Sequence, residues 1–146
     1  MIRKLVRPIV PQSILNLLGR YYYLDASVPN KILLIYKLIH WSVYEALNKE
    51  IFFRTPAGLS YLSMPYNFSS LVVYARNYRD PAIQMFMERT LKKGSVFVDA
   101  GANIGTYTVP ASKLVGEAGK VIAVEAHPFT YKYLVRNIAE NKLINV

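Results

Sequence analysis

The chain has no cysteine, which removes disulfide frameworks, cysteine-ligated zinc and thiol chemistry together, and no metal site is expected. Acidic residues are scarce: 9 Asp plus Glu stand against 18 Lys plus Arg, a formal charge of +9. Such an excess favours anionic partners such as acidic lipid, nucleic acid or phosphorylated substrates. Basic runs longer than two are missing, and the tyrosines are scattered among core-like positions rather than set out as a base-stacking series. The charge therefore reads as a solvated basic face, and no nucleic-acid partner is expected. A secretory signal is lacking too, because the apolar stretch after Arg3 and Lys4 is broken by Pro8 and Pro11 and has no small-residue cleavage site. The longest apolar run, Ile32 to Leu47, is interrupted by Lys37, His40 and Glu45 and falls short of the roughly 20 residues that a membrane span needs. The expected location is cytoplasmic, with residues 1–48, which carry a basic surplus of four, free to touch a membrane.

What is present is an apolar chain of one-domain size: 146 residues, 53% hydrophobic and 18% charged. Residues 1–48 form a basic, apolar helical region. It has an irregular leader, a short helix near Ser13 to Leu18, and a longer helix from an Asn30 cap to about Asn48. Lys37, His40, Tyr44 and Asn48 make one stripe of that helix and aliphatics cover the rest, a pattern that suits docking on the domain, lying in a membrane interface, or spanning. Residues 49–93 read as a hairpin over Ile51 to Met64 turning at Pro56-Ala57-Gly58, a further strand at Leu71 to Tyr74, and a helix opened by Asp80-Pro81 and stopped at Lys92-Lys93-Gly94. From residue 94 to 146 the pattern becomes strand, glycine loop, helix, strand, helix. Continuously apolar strands in that order predict an α/β domain with a parallel sheet buried on both faces.

The chemistry sits in Val96-Phe97-Val98-Asp99-Ala100-Gly101-Ala102-Asn103-Ile104-Gly105 and in Glu125 at the end of the next strand. Ligands of open α/β sheets lie beyond the carboxyl ends of the strands, and glycines at the first turn let them approach the backbone. Glu125, 24 residues past Gly101, stands where a carboxylate accepts hydrogen bonds from a ribose diol. Asp99 separates two cofactor classes. A dinucleotide brings a pyrophosphate that a carboxylate at this point repels, whereas S-adenosylmethionine brings a sulfonium and an ammonium that it attracts. A helix-capping role for Asp99 is the bland alternative, and it accounts for neither both glycines nor Glu125. His127, just before a helix-opening proline, reads as a cap or adenine-side residue, and His40 as solvated or interfacial; neither is assigned to catalysis.

Lys93 to Gly105, Ala111 to Gly116, Gly119 to Pro128 and Leu134 to Ile138 together resemble the FkbM family of class I methyltransferases. The resemblance is strong from about Gly94 to Asn141 and looser over Ile51 to Lys93. It implies a Rossmann-like class I methyltransferase fold, S-adenosylmethionine as cofactor, and O-methylation of a hydroxyl on a sugar or small natural product. Carried over by position, Asp99, Gly101 and Gly105 shape the methionine end, Asn103 lies in the loop beside it, Ala102 counts among the cofactor-binding residues, and Glu125 holds the ribose. The family's Glu-Pro-Asn-Pro is Glu125-Ala126-His127-Pro128 here, and Pro110 falls inside the expected first helix, whose regular part is placed from about Thr108. The resemblance puts acceptor-side residues on later strands. The expected fold is therefore incomplete, holding the first two parallel strands and their helices, and the expected fragment is not competent alone. The competing classes are an NAD(P)-binding oxidoreductase half-domain and a non-catalytic membrane-associated protein.

Overall fold

The computed structural model of the protein describes Gly19 and residues 30–146. The short helix expected near Ser13 to Leu18 lies outside the described residues. Helix α1 (Lys31–Ala46) starts at Asn30, whose side chain accepts from Leu33 N at 2.9 Å. It docks through Leu34, Leu38 and Trp41, all buried. Its polar stripe turns the same way: Lys37 Nζ donates to the Tyr74 carbonyl at 2.8 Å, and His40 Nδ1 pairs with the Tyr74 hydroxyl at 3.0 Å. His40 is thus half-buried against Tyr74 rather than fully solvated. Ile32, Leu33, Ile35, Ile39, Val43 and Leu47 stay exposed, so the helix is covered on one side rather than on most. No helix among the described residues is long and apolar enough to cross a membrane.

The hairpin forms as expected, with β1 (Phe52–Arg54) antiparallel to β2 (Ser60–Leu62). The strand expected at Leu71 to Tyr74 is instead the middle of helix α2 (Phe68–Arg76). A short continuous apolar run cannot be assigned to strand or helix by periodicity, and here burial on every side decides it. Ser70 through Ala75 are six consecutive buried residues, wedged between α1 on one side and Ile104 and Val109 on the other. Asn67 caps the start by accepting from Ser70 N at 2.8 Å, and Asn77 ends the helix at φ 72°. Helix α3 (Pro81–Thr90) follows with Asp80 as its cap.

Strands β3 (Val96–Ala100) and β4 (Lys120–Val124) pair in parallel, and helices α4 (Thr108–Val115) and α5 (Pro128–Glu140) follow them in turn. Pro110 falls in the first turn of α4, where no intrahelical N–H is needed. Phe97 and Val121 face Met87, Ala111 and Val115 of α3 and α4. Val96, Val98, Ile122 and Val124 alternate to the opposite face and are exposed. The expectation of a sheet buried on both faces therefore holds for one face among the described residues. On the outer edge of β4, Val121 N already donates to the Asn145 carbonyl at 2.8 Å, the position of a further parallel neighbour.

Asparagine amides fasten the hairpin to this unit. Asn137 Oδ1 accepts from Leu62 N at 2.6 Å and Asn141 Oδ1 from Ser60 N at 2.9 Å, while their Nδ2 groups donate back to the Leu62 and Ser60 carbonyls. Four residues of helix advance about 6 Å and two of strand about 6.6 Å, so the two amides on one face of α5 match alternate residues of the open β2 edge.

Candidate functional site

The carboxyl ends of β3 and β4 open onto the loop from Gly101 to Gly105, and every backbone N–H of that loop is used within the protein. Gly101 N and Ala102 N donate to the Val124 carbonyl at 2.8 and 2.9 Å, and Gly105 N to the Ala102 carbonyl at 2.8 Å. Asn103 N donates to Glu125 Oε2 at 2.9 Å, and Ile104 N to Asn103 Oδ1 at 2.9 Å. No fan of free amides is left to cradle a phosphate.

Asp99 lies beneath this loop, 6% exposed, with Oδ2 taking the Thr108 hydroxyl at 2.5 Å at the start of α4. Burial raises its pKa, Thr108 opposes that through side-chain and backbone hydrogen bonds, and the nearby Glu125 carboxylate raises it further. Asp99 therefore anchors Thr108 at the start of α4 and puts a carboxylate beneath the loop. The arrangement disfavours a dinucleotide and suits a ligand with cationic sulfonium and ammonium groups.

The six residues singled out in the sequence come together but face different ways. Gly101, at φ +83°, has open space where a Cβ would stand. Gly105, at φ +94°, is buried, and a Cβ there would meet Leu134 Cδ1 at 3.1 Å and Val109 Cγ2 at 3.4 Å. Its missing side chain admits α5 to the loop, so it serves packing rather than ligand approach. Ala102, 2% exposed with both backbone groups engaged, supports the loop from within. Asn103 holds the left-handed bend at φ 53°. Glu125 uses one lone pair of each oxygen inside the protein, Oε2 on Asn103 N and Oε1 on His127 N, also at 2.9 Å. His127 caps α5 through Nδ1, which accepts from Thr130 N at 3.4 Å.

Thr108, Asn67 and Asn137 were not singled out as site residues. Asn67 Nδ2 donates to Asn103 Oδ1 at 3.0 Å, and Asn137 Nδ2 donates to the Ile104 carbonyl at 2.9 Å with its side chain fully buried. A threonine nine residues after a strand-end aspartate is a local signal for the first of these. The others depend on long-range pairing that spacing does not reveal.

Residues 70–146 match the TRM5/TYW2 methyltransferase domain, more than half of the chain. The chain belongs to this family. Its cofactor is S-adenosylmethionine, and the strand–loop–helix unit described above lies within the matched residues. The chain is 42% identical over 53 residues to a tRNA (guanine(37)-N(1))-methyltransferase of Aedes aegypti, a span of 36% of this chain and 9% of that protein. It is also 42% identical over 57 residues to a tRNA(Phe) (4-demethylwyosine(37)-C(7)) aminocarboxypropyltransferase of Pyrococcus horikoshii, covering 39% of this chain and 20% of that one. The chain thus spans a fifth or less of the length of these relatives. A solved Pyrococcus horikoshii transferase structure shares the fold at TM-score 0.50 and 20% identity, over 98% of this chain and 59% of that chain. These findings support a class I methyltransferase and do not show the FkbM family. They also correct the expectation that nucleic acid is no partner and that the acceptor is a small molecule or glycan, since TRM5/TYW2 relatives are named for tRNA. That expectation weighed only contiguous runs of charge and aromatic spacing, and neither detects a charged surface assembled by folding.

Proposed function

We propose that the chain supplies the S-adenosylmethionine-binding part of an enzyme that transfers a methyl group to tRNA. The observation that carries the cofactor half of this reading is the saturated glycine loop flanked by two carboxylates. Asp99 holds negative charge beside the methionine ammonium, Glu125 accepts from the ribose hydroxyls, and Gly101 leaves room for close approach. When bound, S-adenosylmethionine supplies a methyl carbon activated by its sulfonium. The protein's own task is to hold that donor in fixed orientation while its buried, low-polarity surroundings strengthen each charge contact.

The tRNA half rests on the family membership and on the two relatives named for tRNA. The formal charge of +9 is in keeping with an anionic substrate. The resemblance to FkbM motifs spans the same strand, loop and helix, and no feature of the structure favours a sugar hydroxyl over a base. Electrophoretic shift of unmodified tRNA by the chain tests the reading. The expected result is a complex weakened by salt and displaced far better by unlabelled tRNA than by heparin. Equal displacement by heparin, or no complex at low salt, contradicts it.

A further inference from the structure

We propose that Asn67, which lies between β2 and α2 and outside the strand–loop–helix unit, is a positioning residue for the cofactor loop. The proposal rests on the S-adenosylmethionine reading. Four hydrogen bonds run in series: Ser70 N to Asn67 Oδ1 at 2.8 Å, Asn67 Nδ2 to Asn103 Oδ1 at 3.0 Å, Ile104 N to the same Oδ1 at 2.9 Å, and Asn103 N to Glu125 Oε2 at 2.9 Å. The orientation of both amides is fixed by backbone N–H donors, which can only meet oxygen, so Nδ2 of Asn67 must face Oδ1 of Asn103.

Asn103 is left-handed at φ 53°, a conformation that persists where its surroundings impose it. Besides Ile104 N, which binds the same Oδ1 from the next residue, two groups outside the turn impose it. Glu125 holds the Asn103 main chain, and Asn67 holds its side chain from an element 36 residues earlier. Asn67 thereby acts on Glu125, whose Oε2 must stay turned towards the Asn103 amide if its remaining lone pairs are to face a ribose. The hairpin and α2 thus have a role in cofactor geometry beyond covering the core.

Asn67→Asp and Asn67→Ser separate this role from helix capping. Aspartate and serine both cap well, so α2 keeps its bond from Ser70 N. Aspartate has no donor for Asn103 Oδ1, and the serine hydroxyl does not reach it. In the full chain, S-adenosylmethionine affinity by calorimetry is expected to fall about five- to tenfold in each variant, the loss of one neutral hydrogen bond. Melting temperature should change little, and hydrogen exchange at the Asn103 amide should speed up about tenfold without cofactor. Unchanged affinity and unchanged Asn103 exchange in both variants overturn the proposal. So does an affinity loss that merely follows melting temperature across Asp, Ser and Ala at this position. Failure of the unsubstituted chain to bind S-adenosylmethionine overturns the cofactor reading instead, and the exchange measurement then still decides whether Asn67 holds the loop.

Discussion

The two small sheets solve the same problem in opposite ways. The antiparallel pair β1–β2 has its open edge closed by side chains, because Asn137 and Asn141 of α5 imitate the donors and acceptors of a third strand. The parallel pair β3–β4 relies on main chain, with the Asn145 carbonyl on its outer edge and an apolar face exposed. Side-chain closure ties the hairpin to one register and one helix, and it links that hairpin to the cofactor loop through Asn137 and Ile104. Main-chain closure leaves the parallel edge able to accept a neighbouring strand.

Removing the buried amide should break this contrast most strongly. Asn137→Ala leaves Leu62 N and the Ile104 carbonyl without their partner in a dry site, and it should lower unfolding free energy by about 3 kcal/mol or more. Asn141→Ala, at a half-exposed position where water can replace the amide, should cost about 1 kcal/mol. Urea melts of the two variants would show this gap, and equal losses would mean that the hairpin is not held by Asn137.

The two loop glycines extend the comparison to the site. Gly105→Ala meets both a left-handed φ and Leu134 at 3.1 Å, so a stability loss of about 2 kcal/mol is expected. Gly101→Ala carries the backbone penalty alone, about 1 kcal/mol, yet should weaken S-adenosylmethionine more, since its new methyl points into open space at the strand ends. Paired thermal melts and cofactor titrations would reveal a reversed order if the roles have been exchanged.

A smaller effect comes from Asp99. Burial raises its folded pKa above the ordinary carboxylate range, so the folded chain binds this proton more tightly than the unfolded chain does. The associated stability is complete below that ordinary range and is lost as pH rises through the raised folded value. Asp99→Asn keeps an acceptor for Thr108 without the charge and should be more stable than the parent at neutral pH, with the gap closing in acid. Melts between pH 4 and 8 would expose a flat difference if Asp99 were not strained by burial.

The smallest effect belongs to Glu50, which reaches Arg136 of α5 at 2.7 Å on the surface. Partial burial pushes its pKa up, but hydrogen bonds from Arg136 and Tyr133 together with the charge of Arg136 outweigh this and leave it lowered. Its contribution is present above the ordinary carboxylate range and fades as pH falls through the lowered value. Glu50→Gln should cost no more than about 0.5 kcal/mol, and less in high salt. A larger loss in a urea melt would give this ion pair a share in holding the hairpin that the asparagines are here assigned.

The sequence made the second half of the fold legible because its signals are local. Asp80-Pro81 and His127-Pro128 open helices where they stand, and the start of α4 two residues before Pro110 follows from the proline's lost donor. The positions of Asp99, Gly101 and Glu125 at a strand end or the turn beside it follow from the same local signals. Leu71 to Tyr74 misled because tertiary burial, not local pattern, makes that apolar run a helix. The inward turn of the α1 polar stripe was hidden as well, because its partners are carbonyls and a hydroxyl at the far end of α2. The asparagine bridges cross from 36 to 81 residues, a distance over which spacing carries no information.

The most direct test of the central claim, that a saturated loop with two carboxylates selects a cationic cofactor, is calorimetric titration of the chain with S-adenosylmethionine and with NAD, repeated for Glu125→Gln. Binding of S-adenosylmethionine alone is the predicted result, weakened by about 1.5 to 3 kcal/mol in the variant as hydrogen bonds to a charged acceptor are lost. Binding of NAD, or an affinity for S-adenosylmethionine that Glu125→Gln leaves unchanged, would contradict it.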